Sequence, residues 1–208
     1  MYKSLTYGLV KRTFDIAASA AMLGLTAPFL ALISVIVMAE SEGSAIYIHE
    51  RVGRYGKRIG VLKFRSMKAG SDDIEAVLTD EEIEVFYREY KLKNDPRVTE
   101  IGRKLRKNSI DELPQLLNVI KGEMSLVGPR PVTEGELDIY SEDERKRFLS
   151  VKPGITGYWQ VFGGTEATYQ NGRRQQMELY YAMNASMLLD ASILLRTPAA
   201  VIRRRRVI

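Results

Sequence analysis

Residues 16–39, from Ile16 to Ala39, read IAASAAMLGLTAPFLALISVIVMA, 24 residues without a charged side chain. As a straight helix the stretch would reach about 36 Å, enough for a hydrocarbon core of about 30 Å. A cleavable secretory signal has a shorter apolar run ending at a small-residue cleavage site. Here Glu40, Ser41 and Glu42 lead into what reads as a folded domain, so the segment is expected to be retained. Pro28 near its middle removes a backbone donor and crowds the preceding turn, which predicts a kink or break. Lys3, Lys11 and Arg12 precede the run, and Arg51, Arg54, Lys57 and Arg58 follow it. Cations on both flanks favour one side of the membrane for both, as in a re-entrant helix–break–helix over 16–39. A kinked helix that spans is the alternative, and the residues alone leave the two open.

The 208-residue chain carries 31 basic and 26 acidic side chains, a net charge of +5, with one His and no Cys. That length suits a single domain over 1–208. Without Cys there is no disulfide framework, thiolate nucleophile or Cys-ligated metal, and one His excludes any site needing two imidazoles. An apolar share of 45% and a charged share of 27% are those of a globular protein. Residues 203–206, four arginines after Ala199, Ala200, Val201 and Ile202, read as a basic tail. Such a tail would be drawn to anionic lipid headgroups by about 1 kcal/mol per cation. No RNP, zinc-finger or aromatic-interleaved basic motif occurs, so no nucleic-acid partner is expected.

Residues 45–48 and 59–64 read as strands around a Gly- and charge-rich turn. Residues 71–92 have roughly helical spacing and end at Asn94-Asp95-Pro96. A basic helix is expected over 98–107, a compact apolar one over 113–120 stopped near Gly122, and a charged one over 134–149. Between the last two, Gly128-Pro129-Arg130-Pro131 must be a rigid, non-helical loop. Residues 178–195, rich in Tyr and Met, suit a core helix or one lying at a bilayer interface. The pattern gives an α+β fold: a mostly helical domain with a small β-hairpin or sheet, fused to the N-terminal membrane segment.

Asp111-Glu112 is the pair with most chemical potential. Ser109-Ile110-Asp111-Glu112 fits a capping box, with Pro114 in a first helical turn, and capping alone would account for both acids. Yet the pair also lies beside Arg106 and Lys107 at a helix start, where anions are favoured. Successive helical residues point about 100° apart, so the two carboxylates can divide labour, one holding a cation and the other attacking a phosphorus centre. Arg130 between two prolines suits two-pronged phosphate binding, or is an ordinary surface turn. Lys63 and Arg65 share a strand face, as a phosphate site or as edge protection would require. His49 is alone and reads as packed or solvated.

The run KNDPRVTEIGRKLRKNSIDELPQLLNVIKGEMSLVGPRP (93–131) resembles the signature core of the bacterial sugar transferases, the monotopic phosphoglycosyl transferases. HERVGRYGKRIGVLKFRSM (49–67), KPGITGYWQV (152–161) and ELYYAMNASMLLDASILLRT (178–197) resemble the flanking blocks in the same order, so the likeness runs from about Lys11 to Thr197. It implies a re-entrant hairpin with Pro28 at the membrane break, interfacial amphipathic helices and a place on the cytoplasmic face of the bacterial inner membrane. It implies transfer of a sugar phosphate from a UDP-sugar to polyprenyl (undecaprenyl) phosphate with release of UMP, an early step of capsule, exopolysaccharide or O-antigen assembly. Asp111 matches the family's nucleophile and Glu112 its Mg²⁺-binding carboxylate. Arg106 and Arg130, framed by Pro129 and Pro131, match residues near the phosphates, and Lys63, Arg65 and Asp190 fall in matching blocks and are expected to help bind the phosphorylated substrate. A homodimer is compatible with such a protein. Two departures stand out. Ala27-Pro28 replaces Ser-Pro, with Thr26 able to serve a freed backbone group, and Gly164 stands where relatives often carry Arg. A membrane-tethered Mg²⁺-dependent phosphodiesterase and an inactive scaffold of the same fold are the competing readings.

Overall fold

The computed structural model describes residues 5–71, 73–89, 92, 95–164 and 166–205. Lys3, Asn94 and Arg206, each used in the reading above, lie outside them. The apolar segment is part of one helix, α1 (Leu5–Glu40), long and apolar enough to cross a membrane. Pro28 lies inside it, and the helix continues through this residue rather than breaking. A helical Pro28 leaves the Gly24 carbonyl without its usual donor. Thr26 does not supply one: its hydroxyl donates to the Met22 carbonyl at 2.7 Å.

Strands β1 (Ile46–Val52) and β2 (Arg58–Phe64) form an antiparallel hairpin in the register Ile46↔Phe64 to Val52↔Arg58. The expected helix over 71–92 is two, α2 (Ile74–Val77) and α3 (Asp80–Glu89), because Asp73 caps the first and Thr79 with Glu82 caps the second. Helix α4 (Glu100–Lys107) starts at Thr99, whose hydroxyl accepts from Gly102 N–H. Helix α5 (Gln115–Lys121) ends at Gly122, left-handed at φ 88°, as its sequence requires.

Two short strands that the sequence did not reveal, β3 (Ser125–Val127) and β4 (Gly154–Thr156), pair in parallel. Their approach depends on missing side chains. A Cβ on Gly154 would lie 2.1 Å from the Gly128 nitrogen. The expected charged helix over 134–149 shrinks to a 3-10 turn and α6 (Glu142–Phe148), which opens on a complete capping box from Ser141 and Glu144. After α7 (Tyr158–Phe162), the Tyr- and Met-rich helix is divided into α8 (Arg173–Asn184) and α9 (Met187–Arg205). The division falls at Ala185, where the backbone is extended, and the Ser186 hydroxyl then caps Leu189 N–H.

The main core joins Ile59 and Val61 of the hairpin, Leu116 and Val119 of α5, Leu126 and Val127 of β3, and Tyr181 and Ile193 of the last helices. Asn118, fully buried, pins α5 to β2. Its amide accepts from Leu62 N–H and donates to the Gly60 carbonyl.

Both ends of α1 grip this domain. Near the start, Arg12 donates to the Val119 and Ile120 carbonyls at the end of α5. Buried Asp15 accepts from Ser125 Oγ and Leu126 N–H. Near the finish, Ile33 and Val37 pack with Ala45, Phe64 and Leu105, and Glu40 accepts from Ile101 N–H.

Asp190 completes the first grip. Tyr7 and Lys11 donate to its Oδ2 at 2.9 and 2.8 Å, and Tyr181 donates to its Oδ1 at 2.6 Å. This corrects the expectation that Asp190 helps bind phosphate: the carboxylate is occupied in clamping α1 to α8 and α9. Asp190→Ala would take from the largely buried Lys11 ammonium its carboxylate partner and from Tyr7 and Tyr181 one acceptor each, at a cost of about 3 kcal/mol. Thermal or denaturant unfolding checks this, and an unchanged midpoint would contradict the clamp.

Candidate active site

The acid pair sits on a turn whose backbone is unusual. After α4, Ser109 is left-handed at φ 56°, and Ile110–Glu112 form a single 3-10 turn before Pro114 and α5. Ser109 makes no side-chain capping bond. The capping-box reading of Ser109 to Glu112 is therefore overturned, because a left-handed Ser cannot aim its hydroxyl at the following amides as an extended cap residue does. A left-handed non-glycine residue next to the acid pair costs about 1–3 kcal/mol, which the surrounding structure must hold in place.

Asp111 is buried, and Glu112 lines a cleft with Arg51, Lys63, Gln115, Arg130, Pro131, Gly154 and Ile155. Glu112 Oε1 accepts from Lys63 Nζ at 3.3 Å and from Arg130 Nη1 at 3.4 Å. Both distances are long for charged pairs. Arg106, the last arginine of α4, donates its Nε to Ser66 Oγ at 2.8 Å and faces Asp111.

Burial raises the Asp111 carboxyl above the usual aspartate range, and the neighbouring Glu112 adds to this. Lys63, Arg106 and Arg130 pull the other way without prevailing. Burial lowers Lys63, which Glu112 partly offsets. At Arg130 burial also acts downward, but Glu112, Glu136 and Asp111 outweigh it and leave the guanidinium more firmly charged than usual. The site is thus a desolvated carboxyl at the edge of a cationic cleft. Such a cleft attracts an anionic, phosphorylated ligand.

The structure brings Asp111, Glu112, Arg106, Arg130, Lys63 and Pro131 together, with Pro129 fully buried beneath the loop. It does not bring Arg65. The Arg65 backbone N–H still pairs with the Ala45 carbonyl, while its guanidinium donates to the Glu42 carbonyl in the connection after α1.

Sequence reasoning missed Arg51 as a cleft residue. Its signal was strand alternation: Tyr47, His49 and Arg51 share a face of β1, and Tyr47 opposes Lys63. Arg51 donates to buried Glu136 at 2.7 Å and lies 3.2 Å from His49 Nδ1. Burial, then Arg51 and Lys63, push His49 down to about 4, so it is neutral at pH 7.

Among the described residues no three His, Asp or Glu side chains converge as a metal cage. Asp111 and Glu112 are a pair, and Mg²⁺ commonly binds through one or two carboxylates, waters and substrate phosphate oxygens. The donor set therefore fits Mg²⁺ arriving with a diphosphate and does not fit a metal enclosed by protein.

The family described as bacterial sugar transferase matches residues 6–204. The chain is 46% identical over 199 residues to the UDP-galactose-lipid carrier transferase of Erwinia amylovora, covering 94% of this chain and 41% of that protein. It is 43% identical to the undecaprenyl-phosphate galactose phosphotransferase of Salmonella typhimurium, with coverage of 94% and 41%. It therefore spans about two fifths of the length of these relatives. The exopolysaccharide production protein ExoY of Rhizobium meliloti is 41% identical, over 93% of this chain and 86% of its own. Matched along nearly its whole length, with the acid pair and its cations gathered at one cleft, the chain belongs to the bacterial sugar transferase family.

Proposed function

We propose that this chain transfers a sugar 1-phosphate from a UDP-sugar to a polyprenyl phosphate through a covalent intermediate on Asp111. The observation that carries the reading is a buried carboxyl of raised pKa against a cleft lined by Arg51, Lys63 and Arg130. The names of two relatives, a UDP-galactose-lipid carrier transferase and an undecaprenyl-phosphate galactose phosphotransferase, point to the same donor and acceptor classes.

In the first half-reaction an Asp111 oxygen attacks the phosphorus that bears the sugar. The bond from that phosphorus to the bridging oxygen breaks, and UMP leaves with the electron pair. In the second, an oxygen of the polyprenyl phosphate attacks the same phosphorus, the acyl-phosphate bond breaks, and the carboxylate is regenerated. Desolvation makes the Asp111 carboxylate a stronger nucleophile, while Lys63, Arg106 and Arg130 offset the repulsion between it and the diphosphate. Glu112 would hold Mg²⁺, which when bound neutralises diphosphate charge.

The same reading has α1 enter and leave the cytoplasmic leaflet from one side, as a continuous helix bent at Pro28 rather than interrupted there. Its support is that residues 7–15 and 33–40 both hold one domain, which a helix crossing the bilayer at a steep angle could not do. A second apolar surface supports an interfacial α9: Leu188, Leu195 and Ile202, seven residues apart, are exposed along one face. Arg203 of the basic tail donates to the Val161 carbonyl, and the tail would add attraction to anionic lipids.

Asp111→Asn should abolish exchange of labelled UMP into UDP-sugar without acceptor, by on the order of a thousandfold or more. A panel of donors beginning with UDP-galactose makes the measurement. The variant should melt at or above the wild-type temperature. Because folding raises the Asp111 pKa, stability from its protonated form is present below the unfolded value near 3.9 and withdrawn as pH rises through the folded one. By the same sign, wild-type exchange should fall on acidification along a limb lying above the ordinary aspartate range. Undiminished exchange in the variant would remove Asp111 as nucleophile.

Topology has its own test in a chain without native Cys. Single cysteines at Thr6→Cys and Glu42→Cys should both resist a membrane-impermeant thiol reagent added from the periplasmic side. Labelling of one alone would mean that α1 spans.

A further inference from the structure

Arg130 stands between Pro129 and Pro131, and proline has no backbone N–H. The Arg130 amide is therefore the sole backbone donor of these three residues, and it donates to Glu178 Oε1 at 3.2 Å. The flanking backbone is tied to strands: Gly128 N–H donates to the Thr156 carbonyl, Gly154 N–H to that of Pro129 and Val52 N–H to that of Val132. Glu178, on α8, is thus the side chain that holds the loop at the residue whose guanidinium faces Glu112.

The carboxyl is badly placed for its own charge. Glu178 is 2% exposed, and its Oε2 has no hydrogen-bond partner among the described residues. The charged and titratable groups around it are Arg174, one turn earlier on α8, Arg130 from the loop, and Tyr140 from the turn before α6. Burial outweighs the pull of both arginines and pushes the carboxyl up to about 7. Arg174 is itself held between the Trp159 and Tyr169 rings, 4.0 and 3.9 Å from their centroids. A buried acid with one oxygen unpartnered is a poor source of stability. What it does provide is an acceptor fixed by a helix, aimed at one amide of a cleft loop.

We propose that Glu178 is a positioning residue that sets, through the Arg130 amide, the direction in which the Arg130 guanidinium meets a phosphate in the cleft. This rests on the phosphate-binding part of the proposed function and needs neither the covalent intermediate nor the lipid acceptor.

Calorimetric titration of inorganic pyrophosphate with Mg²⁺ into the full chain in detergent tests it. Glu178→Gln keeps an acceptor in place and should bind within about threefold of wild type. Glu178→Met, of similar volume but without an acceptor, should weaken binding about ten- to a hundredfold. In an Arg130→Ala background the same Glu178→Met change should matter less than about threefold, because the two residues act as one unit.

Wild-type hydrogen exchange gives a reading that needs no variant. Between two prolines the Arg130 amide should be protected, and free exchange there would overturn the proposal. So would equal binding by Glu178→Met, an equal loss with and without the Arg130 side chain, or a wild-type protein that does not bind pyrophosphate. A protein that binds pyrophosphate as described but never exchanges UMP would contradict the transferase reading and leave this one standing.

Discussion

The contact between the buried Asp111 carboxyl and the cations around it is the interaction around which this site is arranged. The proposed chemistry asks two things of that carboxyl, a dry surrounding and cations beside it that offset the cost of its charge. No single element supplies both conditions. The 3-10 turn after α4 buries it, α4 contributes Arg106, β2 contributes Lys63, and the Pro129–Pro131 loop contributes Arg130. Arg106 and Asp111 are neighbours in sequence, whereas Lys63 and Arg130 come from separate segments that the fold brings to them. Asn118 locks α5 to β2, and glycine at 128 and 154 lets β3 and β4 approach closely enough to present the loop.

The membrane-facing helix belongs to the same construction. Arg12 takes up the carbonyls at the end of α5, the helix that begins just after the acid pair. Asp15 satisfies the start of β3, the strand that leads into the arginine loop. Two polar residues at the edge of an apolar segment therefore support the two halves of the site. Both would be anomalous in a helix serving only as an anchor, since burial of an unpaired charge is costly. Their partners explain them.

Much of this was legible before the structure, and the legible part has a pattern. Long-period signals held: the apolar run, the hairpin strands, the α5 stop at Gly122 and the grouping of Asp111, Glu112, Arg106, Lys63 and Arg130. What the sequence concealed depends on tertiary pairing or on one local competition. The β3–β4 pair is three residues a side and carries no periodicity of its own. Ser109 matches a capping motif letter for letter but adopts left-handed geometry, which a motif does not encode. The break at Ala185 falls between Asn184 and Ser186, without a Gly or Pro to mark it, and is set by Ser186 capping the next helix. Asp190 and Arg65 sit in recognisable blocks, yet their side chains are spent on α1 and on the connection that follows it. Proximity in a motif does not fix what a side chain faces.

The central claim is that the phosphorylated sugar is held, for a time, on one aspartate. Incubating the protein with its donor and Mg²⁺ in the absence of acceptor, quenching in acid and mapping peptides by mass spectrometry addresses it directly. The account predicts a mass increase equal to a bound sugar phosphate on the peptide containing Asp111, lost on addition of polyprenyl phosphate. An adduct on another residue, or none on a preparation that turns over, would contradict it.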